Sequence, residues 1–332
     1  MANVTRKTKP KSAPTRTKTE KEPVAVQEPV GKYINPLTDF GFKFIFGTKE
    51  YLIDFLNTVL KIEGGIVDLQ YSNTERKGLS EKDRTTIFDL FCTLKNGERV
   101  IIEMQYHRYD NFTERTLYYV SRLIQEQGEE KKGDKDWEFD LKPVYSVNIV
   151  NFPIDTDKRK RRNQNKYITY AHIIDRDTHK IICDKLTFVY LELPYFTKSE
   201  HEVTDNIDWW MYVIKNMSKL NHLPDALRNR IFERLFLKAE IAKLSKEERK
   251  KYDQSIKDLS DMSFILAQKD RKIAELSKDV AALSKDNATK ANRLAEQAKR
   301  LAEYERKYGA LSGTTPKTAP TRTRKARAMV SN

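Results

Sequence analysis

Asp89, Glu103 and Gln105 are the residues whose types and spacing best suit chemistry at one centre. They lie in residues 86–107, TIFDLFCTLKNGERVIIEMQYH. β-Branched and aromatic residues there flank the turn signal Lys95-Asn96-Gly97 and predict two strands joined by a tight hairpin. Side chains alternate along a strand, so Ile101, Glu103, Gln105 and His107 should project to one face, and Val100, Ile102 and Met104 to the other. The register decides whether Asp89 joins the polar face. A two-residue Asn96-Gly97 turn pairs Asp89 with Met104 and turns it away from Glu103. A three-residue loop with Gly97 left-handed in a bulge pairs Asp89 with Glu103. We expect the second register. Carboxylates directly opposite on a sheet repel. A hard divalent ion that takes oxygen ligands, Mg²⁺ or Mn²⁺, would relieve that repulsion. The plain alternative is a set of edge-strand charges kept in solvent.

The elements that must position these residues follow from periodicity. Order begins at Tyr33, and residues 35–46, NPLTDFGFKFIF, are dense in aromatics. A helix is predicted at residues 49–60, with Leu52, Phe55, Leu56, Val59 and Leu60 on one face. Gly64-Gly65 ends that unit, and 66–71 reads as a first strand. After the hairpin, 113–127 is helical and presents Leu117, Val120, Leu123 and Ile124. Residues 143–152, PVYSVNIVNF, are the continuous valine- and aromatic-rich run of a buried strand. Further strands are expected at 167–174 and 186–193, and helices at 208–217 and 224–244. Trp209-Trp210 reads as core. The expectation is a mixed α/β layer arrangement with the order α, β, β, β, α, β.

From Leu259 a long helix carries heptads. Leu259, Leu266, Ile273, Val280, Asn287, Leu294, Leu301 and Tyr308 occupy one seam position, and Met262, Leu276, Leu283 and Tyr304 lie in the other. A helix that pairs with a second copy is expected, against the alternative of one amphipathic helix folded onto the body. The chain thus divides into a basic tail (1–31), a main domain (32–250), a long helix (251–312) and a second basic tail (313–332).

Net charge is +14, unevenly placed. Residues 1–22 hold seven Lys/Arg against two Glu, and 313–332 hold five with no acid, so the tails supply +10 of the +14. Basic ends on a near-neutral body suit a polyanion such as DNA, or act as plain solubilising tails. The run Lys158-Arg159-Lys160-Arg161-Arg162 is a second candidate for DNA-backbone contact, with a solvated loop as its alternative. The two cysteines, Cys92 and Cys183, support neither a disulfide framework nor a thiolate zinc site. No apolar run is long enough to span a membrane and no secretory signal is legible, so a cytoplasmic setting is expected. No small-molecule cofactor is implied.

The chain also resembles a known family. Tyr33-Ile34-Asn35-Pro36-Leu37-Thr38-Asp39-Phe40-Gly41-Phe42-Lys43-Phe44 opens the likeness. Asp89, Glu103-Met104-Gln105, Arg115 with Tyr118-Tyr119, Gly128, PVYSVNIVNF and Leu191-Glu192-Leu193-Pro194 follow in register. Together they are similar to the Rpn-type recombination-promoting nucleases, a transposase-like branch of the PD-(D/E)XK nuclease superfamily, over about residues 33–260. The resemblance implies a restriction-endonuclease-like αβββαβ core and a metal-dependent DNA endonuclease. It matches Asp89 and Glu103 to the acidic metal ligands, Gln105 to the position that is lysine in many members, and Asp39 to the acidic residue of the first motif. The missing lysine leaves water activation to the metal or another base. Gln105 could orient the attacking water, and Lys43 and Arg115 could screen the phosphate. The rival expectation is a catalytically inactive DNA-binding or assembly protein acting through its long helix and basic tails.

Overall fold

Thr38 starts the first helix by accepting a hydrogen bond from Gly41 N at 3.0 Å, and α1 runs Asp39–Phe46. Only glycine fits at position 41, because a Cβ there would lie 1.9 Å from Asn35 O. α2 spans Lys49–Leu60, as its periodicity predicts. The computed structural model describes residues 31–76, 86–133, 136–155 and 166–309.

The strands in chain order are β1 (Leu69–Tyr71), β2 (Glu75–Arg76), β3 (Thr86–Ile87), β4 (Leu90–Leu94), β5 (Arg99–Gln105), β6 (Val144–Val150), β7 (Ile168–Ile174) and β8 (Ile181–Glu192). β2 and β3 pair as a small separate ribbon. The other six form one sheet in the order β1-β4-β5-β6-β8-β7. The β5–β6 and β6–β8 pairs are parallel and the rest antiparallel, so the sheet is mixed. With α3 (Phe112–Glu130) between β5 and β6, the chain has the expected PD-(D/E)XK-like αβββαβ core.

Helices cover both sheet faces, which explains why β6 is buried along nearly its whole length. On one face Val100, Ile102, Val147, Ile149, Val189 and Leu191 meet α1, α2, α4 (Asn206–Asn216) and α5 (Arg230–Lys238). Trp210 lies in that core, with its ring centroid 5.6 Å from Phe46 and Phe55 and 5.0 Å from Phe232. Its indole N–H donates to Asp54 Oδ2 at 2.8 Å. On the other face Phe91, Ile101 and Val144 pack with Val120 and Leu123 of α3.

Two expectations need correction. Residues 224–244 are not one helix. A 3₁₀ turn at Asp225–Leu227 precedes α5, and another at Ile241–Lys243 follows it. Asn229 caps α5 by accepting from Ile231 N and Phe232 N, while Ile34 N takes Ala239 O and pulls the chain away beyond the helix. Leu117 is 53 % exposed rather than core. The buried stripe of α3 runs through Thr116, Val120, Leu123 and Gln127, and the next position along a helix is turned about 100° away. The remaining elements differ at their ends; β8 starts at Ile181, and the strand expected at 66–71 is ordered as such only at Leu69–Tyr71.

The final helix, α6, runs Lys246–Tyr308. Contacts divide the chain into two units that meet between Asp261 and Met262. In the first unit, Tyr252 OH accepts from Asn35 N at 3.0 Å and Ser255 Oγ from Phe40 N at 3.1 Å, which ties the start of α1 to α6. In the second, Ile273, Leu276, Val280, Leu283, Leu294, Leu301 and Tyr304 are all exposed, so the apolar stripe of the heptads lies open.

Candidate active site

The hairpin adopts the three-residue loop. Gly97 N donates to Leu94 O at 2.9 Å, Leu94 N donates to Glu98 O at 2.8 Å, and Gly97 has φ 88°. The register that follows pairs Leu90 with Ile102 and Phe91 with Ile101. Continued by one residue, it sets Asp89 opposite Glu103.

At that point β4 leaves the ladder. Phe88 N turns to Thr74 O, and the Asp89 side chain takes over the next backbone donor of β5. Asp89 Oδ2 accepts from Met104 N at 2.8 Å, and Glu103 Oε1 accepts from Asp89 N at 3.3 Å. Each acid is therefore held by the backbone of the other's segment. Glu103 lies on the α3 side of the sheet, where Arg115 meets it, while Met104 packs against the opposite core.

Glu103 is 1 % exposed. Burial and the Asp89 charge push its carboxyl up to about 8, against the pull of Arg115. Burial also raises the Asp89 carboxyl, although the Met104 N–H and the Lys43 charge act the other way. Arg115, in the first turns of α3, brings Nη2 to 3.5 Å from Glu103 Oε2 and donates through Nε to Tyr119 OH at 2.7 Å. Its guanidinium lies 5.0 Å from the Tyr119 ring centre and 5.7 Å from that of Tyr109. Gln105 Nε2 donates to Glu103 Oε2 at 3.3 Å.

Asp39 and Lys43 form an exposed pair at 2.6 Å on α1, close enough for both charges to act on Asp89. The structure thus brings Asp39, Lys43, Asp89, Glu103, Gln105 and Arg115 to one locality. His107 goes elsewhere. It lies beyond the end of β5, hydrogen-bonded to the Leu259 backbone, and burial lowers its pKa. Lys158, Arg159, Lys160, Arg161 and Arg162 lie outside the described residues, as do the basic tails.

A family model described as PD-(D/E)XK nuclease family transposase matches residues 36–269. The chain belongs to that family. No curated protein and no solved structure gives a significant match. Membership of the PD-(D/E)XK nuclease family points to a nuclease-like function, and PD-(D/E)XK nucleases typically use divalent metals.

The donor chemistry of the PD-(D/E)XK chain fits such an ion. Asp89 and Glu103 are two hard oxygen donors whose proximity disfavours ionisation of both unless a cation neutralises them. Among the described residues no group of three His, Cys, Asp or Glu side chains could hold a metal. Two carboxylates are a number suited to Mg²⁺, which keeps several waters.

Two residues at or beside the site were not singled out from the sequence. Tyr109, in the loop before α3, shows no pattern that separates it from any exposed aromatic. Asn148 had a signal: it is an amide inside the otherwise apolar run VNIV.

Proposed function

We propose that this chain is a divalent-cation-dependent DNA endonuclease, with Mg²⁺ or Mn²⁺ held by Asp89 and Glu103, that serves recombination or mobile-element DNA processing. The observation that carries the reading is the reciprocal clasp of Asp89 and Glu103 at the end of the β4–β5 ladder, with Arg115 and Gln105 converging on the Glu103 carboxylate. A bound divalent ion supplies charge neutralisation at the phosphate and acidifies water. The residues do the rest. Asp89 and Glu103 present oxygen donors in a fixed frame. Gln105, which cannot take a proton at neutral pH, orients the water through its amide. Arg115 and Lys43 offer positive charge to the phosphodiester oxygens, and Asp39 holds Lys43 in place.

DNA is the partner, and the basic tails with Lys158, Arg159, Lys160, Arg161 and Arg162 supply sequence-independent phosphate contacts. The exposed stripe of α6 pairs with a second copy of the chain. Plasmid nicking with Mg²⁺, with and without EDTA, tests the reading. The native chain should nick, whereas Asp89→Ala and Glu103→Ala should not; cleavage that survives both substitutions removes these residues from the mechanism.

Gln105 in the place of a lysine favours a second reading, a DNA-binding or assembly protein without turnover. Salt-sensitive DNA binding with no Mg²⁺-dependent cleavage would select it, with the salt slope counting the phosphate contacts.

A further inference from the structure

Asn148 is fully buried at the centre of β6, and its side-chain oxygen Oδ1 has no hydrogen-bond partner in the protein. A buried amide oxygen without a partner costs on the order of 1–3 kcal/mol. Its position gives it a use. β5, β6 and β8 run parallel and in register, with Glu103 beside Asn148 and Asn148 beside Tyr190. In-register neighbours project to the same face, so Glu103, Asn148 and Tyr190 form a polar row beneath α3, where Thr116 Oγ1 lies 3.0 Å from Tyr190 OH.

Backbone bonding shows which seam holds the amide nitrogen. Arg99 N donates to Pro143 O and Asn151 N to Gln105 O, so the odd-numbered residues of β6 direct their backbone groups toward β5. The even-numbered ones, Ser146 and Asn148, direct theirs toward β8. Asn148 Nδ2 donates to Ser146 O at 3.1 Å, to Ser146 Oγ at 3.0 Å and to Val189 O at 3.3 Å. The two carbonyls lie in the seam between β6 and β8, and they hold the nitrogen there. The amide is planar, so Oδ1 points out of that seam, and the register makes Glu103 the next side chain on the β5 side.

We infer that Asn148 is a positioning residue for Glu103, its amide oxygen holding one ordered water whose second hydrogen goes to the Glu103 carboxylate. Two buried acceptors on in-register neighbours of one sheet face need a donor between them, and water carries two hydrogens. Asp89 N holds Oε1 of Glu103 from the β4 side, and Gln105 and Arg115 hold Oε2. The Asn148 water braces the carboxylate from the β6 side, so that its lone pairs stay aimed at Asp89. This rests on the reading that Glu103 holds the ion.

The test is Mn²⁺ affinity of the DNA-free full chain by electron paramagnetic resonance, read beside thermal unfolding in EDTA. Asn148→Leu removes the acceptor while keeping the volume, and it should weaken Mn²⁺ binding about tenfold or more, the scale seen when a partner of a metal ligand is lost. Asn148→Ser keeps a short acceptor and should recover most of that loss. A purely structural role would lower the unfolding temperature and leave the affinity of the folded protein unchanged, so Asn148→Leu binding Mn²⁺ within about twofold of the native chain overturns the inference. If Asn148→Leu does not fold, Ser146→Ala decides: loosening one anchor of the amide should raise the Mn²⁺ Kd about threefold, and an unchanged Kd overturns the inference. Failure of the native chain to bind Mn²⁺ overturns the parent reading and this one together, whereas native binding that Asn148 variants do not alter overturns this one alone.

Discussion

Replacing Glu103 by glutamine should stabilise the metal-free protein while removing its affinity for the ion. Glu103 carries its carboxyl from an ordinary 4.5 up to about 8 in the folded chain, through burial first and the Asp89 charge second. Below about pH 4.5 the group is protonated in both states and imposes no penalty. As pH rises toward 8 the unfolded chain releases its proton first, so stability falls across that window. At pH 8 the penalty is on the order of 4 kcal/mol, taking about 1.4 kcal/mol per tenfold change in proton affinity. Glu103→Gln abolishes it. The new amide then faces the donors of Gln105 and Arg115, which takes back about 1–2 kcal/mol. The net gain is on the order of 2–3 kcal/mol, or about 5–10 °C in Tm for a domain of this size. Thermal unfolding of both proteins in EDTA at pH 5, 6.5 and 8 reads it directly. The native Tm should fall with pH and recover on adding Mg²⁺; Glu103→Gln should be flatter and should not respond to the ion. A native Tm that rises over this range, or a glutamine variant less stable than the native chain at pH 8, refutes the reasoning.

Three further outcomes are expected. Gly41→Ala sets a Cβ 1.9 Å from Asn35 O, so the loop that delivers Asp39 must move; a loss of about 2–4 kcal/mol in urea unfolding should follow. Tyr119→Phe removes the hydroxyl that accepts from Arg115 Nε, which should lower stability by about 1 kcal/mol and Mg²⁺-dependent nicking about tenfold, measured by urea unfolding and by plasmid conversion rate. Leu276→Asp with Leu283→Asp places charges in the exposed stripe of α6 and should turn a dimer into a monomer in sedimentation, with the unfolding transition of the first unit unchanged.

The hairpin was legible because two local rules converge. Asn96-Gly97 marks the turn, and only the bulged loop brings Asp89 and Glu103 to one face. The helix at Lys49–Leu60 and the strand in 143–152 were equally legible, one from its 3.6-residue period and the other from continuous apolarity. What escaped depends on tertiary packing. Leu117 satisfies the helical spacing of an apolar face, but the angle at which α3 crosses the sheet buries Thr116 instead. The break before α5 comes from the Asn229 cap, and the break after it from the Ile34–Ala239 bond, which joins residues far apart in sequence. The clasp of Arg115 on Glu103 needs α3 to start beside the end of β5. Asn148 was visible as an odd amide in a buried strand, yet its place beside Glu103 and Tyr190 follows only from the register of three strands.

Mn²⁺ bound to the crystalline protein, located by anomalous scattering, tests the central claim most directly. The account predicts a peak bonded to carboxylate oxygens of both Asp89 and Glu103, lost in Asp89→Ala. A peak held by other residues while these two acids remain clasped to backbone amides alone would contradict it.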